Sequence, residues 1–130
     1  MPRTYDPTNL AGTDATNKTW AAAWVRFLIR DIPNSNGAWP PGGVDDAEVD
    51  AHLDMTAVEY DGSIYYLPHE AAIMLLQADP ERVKSLRVAF GLSEDYASAA
   101  DVASAIRALY GQRLESYLPD GARPYRGVEW

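Results

Sequence analysis

The sequence predicts a mainly α fold: a small four-helix bundle with a short β-hairpin, extended arms and a C-terminal tail. Three observations predict it. Trp20, Trp24, Phe27 and Leu28 recur at helical spacing within the richest apolar segment of the chain. Two β-prone runs, 56–60 and 63–67, flank Asp61-Gly62, the strongest short hairpin signal. A third apolar stretch begins at Pro68, where a missing N–H costs a helix nothing. The expected organisation is an N-terminal arm over 1–13, a helical domain over 14–118 and a tail over 119–130.

At 130 residues the chain has the size of one domain. Its formal charge of −8 argues against wrapping a duplex, which needs clustered Lys and Arg. The absence of cysteine removes disulfides, thiol catalysis and Cys-based metal sites. The polar N-terminus has no apolar signal core, and no apolar run approaches a membrane span.

Residues 1–13, with Pro2, Pro7 and Gly12, read as an extended or loosely ordered arm. Asp14, Thr16, Asn17 and Thr19 are candidate N-caps for the first helix, which Ile32-Pro33 should end. Residues 33–44 carry every turn signal. Trp39, large for such a loop, has two readings: it folds back onto the core, or it anchors a neighbouring subunit.

Asp45, with Glu48 three residues on, opens a short second helix as a capping box. Val49 and Leu53 should face the core, and Asp46, Asp50 and Asp54 should face water. Their spacing lacks the mid-loop glycine and terminal Glu of a calcium loop. In the third helix, His69-Glu70 starts like a zinc-protease motif, but Ile73 stands where the second His belongs. His69 therefore reads as an ordinary first-turn residue. Residues 81–92 read as a helical turn followed by an extended segment ending at Gly91. Ser98 with Asp101 should cap the last helix, running to about Tyr117 with a stripe of Val102, Ile106, Leu109, Arg113 and Tyr117. Gly111 inside it suggests close approach by a neighbour.

Catalysis needs a nucleophile or base with supporting partners. Two histidines, no cysteine, no Gly-x-Ser-x-Gly and no phosphate loop leave that inventory thin. The chain therefore reads as a non-enzyme without cofactor or metal. A DNA-binding helix-turn-helix would need a basic recognition helix, whereas 98–117 mixes Arg107 and Arg113 with Asp101 and Glu115.

The order Val25-Arg-Phe-Leu-Ile-Arg-Asp-Ile32, loop, Asp45-Asp-Ala-Glu-Val-Asp-Ala-His-Leu53, then Leu67-Pro-His-Glu-Ala-Ala-Ile-Met-Leu-Leu76 resembles the head–tail connector (adaptor) proteins of long-tailed bacteriophages. That family has a "Leu-Ile-x-Asp"-like helix end, an "Asp-x-Glu-Ile-x-x-x-Leu"-like short helix, an alanine-rich helix, an extended segment and a long last helix. The resemblance spans about residues 20–118, without the hairpin or the N-terminal arm. It implies a structural virion protein: a ring, expected to be a dodecamer, beneath the portal, in the neck of a phage assembled in the host cytoplasm. Its partners would be itself, the portal protein and a downstream stopper or tail protein. DNA would pass through the lumen without sequence-specific binding. Portal-docking candidates are Arg123, Tyr125, Arg126 and Trp130. Subunit-interface candidates are Trp39, Leu86, Val88 and Phe90, and channel-lining candidates are Asp46, Asp50 and Asp54. The alternatives are another neck protein (stopper or tail completion) and a small helical DNA-binding or regulatory protein.

Overall fold

The computed structural model describes residues 3–40, 43–79, 83 and 99–123. It is mainly helical, with one two-stranded antiparallel hairpin among the described residues. Helix α1 (Lys18–Leu28) starts at Asn17, whose side chain accepts from the N–H groups of Thr19 and Trp20. Trp20, Trp24 and Leu28 are buried, and Phe27 packs at the edge of the core.

The helix ends four residues before the expected Ile32-Pro33 boundary. Arg30 takes a left-handed φ of 58°. The Arg30 N–H then donates to the Phe27 carbonyl (3.2 Å) and the Asp31 N–H to the Arg26 carbonyl (3.0 Å). These two bonds form a Schellman closure, usually made with glycine at the left-handed position. A non-glycine residue there costs about 1–2 kcal/mol.

Helix α2 (Asp46–Thr56) is capped by Asp45, which accepts from the Glu48 N–H at 2.8 Å, and it buries Val49 and Leu53. Strands β1 (Val58–Tyr60) and β2 (Ser63–Tyr65) pair Val58 with Tyr65 and Tyr60 with Ser63. Asp61 and Gly62 have φ of 52° and 81°, the paired positive values of a type I′ turn. Helix α3 (Pro68–Gln77) begins on its proline and packs against α1, α2 and α4 (Ala99–Ile106). Its nearly all-round apolar composition suits that central place. No helix among the described residues is long and apolar enough to cross a membrane.

The last helical run departs from the expected stripe. After α4 comes a π-helical turn, Arg107–Gly111, and then α5 (Gln112–Glu115). A π turn inserts one residue into the helical repeat. Val102 and Ile106 stay buried, but the inward positions then move by one, from 109, 113 and 117 to 110, 114 and 118. Leu109 is thrown out, 60% exposed, while Leu114 and Leu118 are buried. Ser98 lies outside the described residues. At Gly111 an added Cβ would sit 3.6 Å from the His69 ring, so the glycine marks that approach but does not depend on it.

Two boundaries also move. Residues 3–13 are docked rather than loose: Pro7–Ala11 forms a 3-10 turn against α1, and the Gly12 carbonyl accepts from Trp20 Nε1 at 2.8 Å. At the other end, Leu118 and Ala122 are buried and Asp120–Ala122 forms a 3-10 turn beside β1. Residues 119–123 thus belong to the folded domain, not to a separate tail.

Candidate functional site

The charged side chains converge at one corner, where α1 ends and α2 begins. Arg26 sits on the helix flank opposite the free solvent and is fully buried. Its Nη1 donates to Asp31 (2.7 Å) and to the Val44 carbonyl (2.9 Å). Its Nη2 donates to Asp46 (2.8 Å), and its Nε to the Thr4 carbonyl (3.1 Å). Asp31 is also fully buried, and it accepts further from Arg3 (3.2 Å) and from the Val44 N–H (2.9 Å). Two guanidiniums thus meet two carboxylates, with each buried charge answered. The Schellman closure at Arg30 turns the chain so that Asp31 points back under α1, and this is what its strain achieves.

Gly43 completes the corner. A Cβ there would overlap the Asp31 carboxylate and the Arg3 guanidinium, so no other residue fits without opening the cluster. Trp39 covers it from outside: the ring is half-buried, and the guanidinium carbons of Arg3 and Arg26 each lie 5.3 Å from its centroid. Such cation–π contacts contribute about 0.5–2 kcal/mol. Trp39 therefore lies against the arginine cluster with one side of its ring.

The three channel-lining candidates part company. Asp46 belongs to the clamp, accepting from the Thr4 N–H (2.8 Å) and hydroxyl (2.7 Å) as well as from Arg26. Asp50 and Asp54 stay exposed, and both pair with Lys18, at 3.0 and 2.8 Å. Burial, the largest single influence on Asp46, pushes its pKa up, but the hydrogen bonds from Thr4 and Arg26 outweigh it and hold the carboxyl below its ordinary value. A carboxyl lowered by folding stabilises above the unfolded value and ceases to do so as pH falls through the folded one. The melting temperature should therefore fall below about pH 4. Asp46→Asn should lessen that fall in a pH series of thermal melts. An identical acid profile in the variant would place the sensitivity elsewhere.

His69 is not an ordinary first-turn residue. It is fully buried, with Nε2 2.8 Å from a Glu115 carboxylate oxygen and 3.6 Å from Glu70. Glu70 in turn takes two N–H donors from Arg107, at 3.0 and 3.1 Å, which raises the Arg107 pKa. Arg123, a portal-docking candidate, donates to the carbonyls of Glu115, Ser116 and Leu118 and pairs with Asp120. It caps its own helix end, where a cation opposes the dipole. Tyr125, Arg126 and Trp130, and the interface candidates Leu86, Val88 and Phe90, lie outside the described residues. Among the described residues no three His, Asp or Glu side chains gather where a metal ion could be held.

The sequence reading missed Arg26, Asp31 and Asp46 as a unit. One signal was available: an arginine on a helix flank whose neighbours, Val25, Phe27 and Leu28, are all apolar needs a buried anion. Compared with protein-family models, with curated proteins and with solved structures, the chain matches none.

Proposed function

We propose that the chain is a head–tail adaptor of a long-tailed bacteriophage, a structural virion protein that acts by assembly rather than catalysis. One observation carries this reading. Two of the three stretches that bear the resemblance, at Leu28-Ile-Arg-Asp31 and Asp45-Asp-Ala-Glu-Val49, are bonded to each other through Arg26, which holds Asp31 and Asp46 at once. A sequence pattern whose polar members clamp one buried arginine is a pattern that specifies a fold.

In this reading the helices form a small four-helix bundle, and a ring of them, expected to be twelve, prolongs the DNA channel below the portal. The excess of acidic groups supports a lumen that repels phosphates and lets DNA slide. Asp50 and Asp54, exposed on α2, suit a channel wall better than Asp46, which the clamp occupies. Trp39 can meet a neighbour only over its exposed edge. Docking to the portal falls to Tyr125, Arg126 and Trp130, residue types that dominate binding hot spots. A stopper or tail protein would follow below.

The test is native mass measurement of the chain with and without the portal ring of the same virus. Complexes carrying a ring of added subunits are expected. Deleting 124–130 should leave the melting temperature unchanged and abolish that binding, whereas deletion from 119 should also destabilise the domain. A chain that ignores the portal and retards duplex DNA in a salt-dependent way would overturn the proposal in favour of a DNA-binding protein.

A further inference from the structure

The π turn has an outer side as well as an inner one. In an unbroken α-helix, Leu109 and Arg113 would follow Val102 and Ile106 inward, but the added residue turns both of them out. A lone exposed leucine needs no explanation. This one has neighbours of a particular kind. Arg113 stands four residues on, the spacing at which two side chains share one side of a helical run. Its guanidinium carbon lies 5.1 Å from the Trp24 ring centroid, and its Nε donates to the Tyr117 hydroxyl at 3.3 Å. Both contacts hold the side chain in place without neutralising it. Next to Leu109 in the chain, half-buried Tyr110 stands edge-on to half-buried Phe27 at 6.1 Å, and the Arg30 guanidinium lies over the Phe27 ring at 4.6 Å.

The charge on this side is reversed relative to the whole molecule. The chain carries 19 acids and 11 bases. Yet the exposed positions between 104 and 116 hold two arginines, Arg107 and Arg113, and no acid. Glu115, the acid within that stretch, is turned inward onto His69. Arg3, Arg26, Arg107 and Arg123 each pair with a carboxylate. Arg113 meets none among the described residues. An outward leucine beside aromatic edges and a positioned arginine, with acids excluded, has the composition of an interface centre. Its complement is a carboxylate for Arg113 next to an apolar side chain for Leu109. A second copy of the chain suits it poorly, because the exposed acids of α2, Asp50 and Asp54, are already held by Lys18.

We propose that the outward side of the π turn, formed by Leu109, Tyr110 and Arg113, docks an acidic segment of another protein. That segment sets one large apolar side chain against Leu109 and a carboxylate on the Arg113 guanidinium. The inference goes beyond the adaptor reading and does not depend on it.

The probe is a random peptide library panned on the immobilised full-length chain, from which the strongest binder is synthesised and titrated in solution. The enriched sequences are expected to place Asp or Glu beside one large apolar residue, and binding should weaken as salt rises. Arg113→Gln should weaken it about fivefold, the scale of one exposed charge pair, and Arg113→Lys should recover part of the loss. Leu109→Ser, which keeps the π turn, should weaken it about tenfold, the scale of one buried apolar side chain. Deleting Leu109 removes the knob and the added residue together, so that Val102 and Ile106 continue at helical spacing into Tyr110, Leu114 and Leu118. The deletion should abolish binding while the melting temperature is retained, and if it fails to fold Leu109→Ser still decides. A neutral or basic consensus overturns the proposal, as does a binder that Leu109→Ser leaves unaffected. A mass that doubles with concentration, and returns to that of one chain in Leu109→Ser, assigns the surface to a second copy and overturns the acidic partner.

Discussion

Replacing Asp31 with alanine is expected to cost about 3–5 kcal/mol in urea denaturation, because it strands the buried Arg26 guanidinium without its closest anion. Three bonds to Asp31 disappear together, from Arg26, Arg3 and the Val44 N–H. Asp46 remains to Arg26, but its side chain is 40% exposed and partly committed to Thr4. The loss belongs to the unpaired charge rather than to the pair as such. Joint replacement by Arg26→Met and Asp31→Leu should therefore recover most of it, since buried ion pairs are often matched by apolar residues of similar size. If Asp31→Ala melts like the parent chain, the clamp does not hold the corner.

Trp24→Ala should cost a similar amount, about 3–5 kcal/mol, by a different route. Trp24 is 3% exposed, with Phe27 edge-on at 5.6 Å, Tyr110 at 5.9 Å and the Arg113 guanidinium at 5.1 Å from its ring. Truncation leaves a hole that these three neighbours cannot fill. The milder Trp→Phe changes separate the two indoles. Trp20 Nε1 bonds to the Gly12 carbonyl, whereas buried Trp24 Nε1 has no acceptor among the described residues. Trp20→Phe should thus lose more stability than Trp24→Phe in the same denaturation series. Equal losses would mean that the Gly12 bond adds nothing.

What was legible in the sequence was local. Asp45 with Glu48, Asp61-Gly62 and Pro68 each fix the backbone within a few residues, so their positions could be read directly. The stripe of α1 was legible because one period runs unbroken from Trp20 to Leu28. What was not legible depends on partners far along the chain. Thr4 meets Asp46 across 42 residues, and His69 meets Glu115 across 46. Nothing near either residue announces the other. The π turn was hidden for another reason: an inserted residue leaves the apolar pattern plausible in both registers, and only packing chooses. The early end of α1 was hidden because an arginine stands at a position that glycine usually signals.

The clamp also bears on the order in which the molecule closes. Synthesis delivers Arg3 and Thr4 first, Arg26 next and Asp46 last, so Arg26 cannot lose its water until α2 has left the ribosome. Before that moment its burial would be opposed by the full cost of drying an unmatched ion. The helices and the hairpin, whose contacts are local, can form without waiting for it. Asp46 is made before the hairpin and α3, so the corner can be complete by the time those later elements arrive, a frame set before the door is hung.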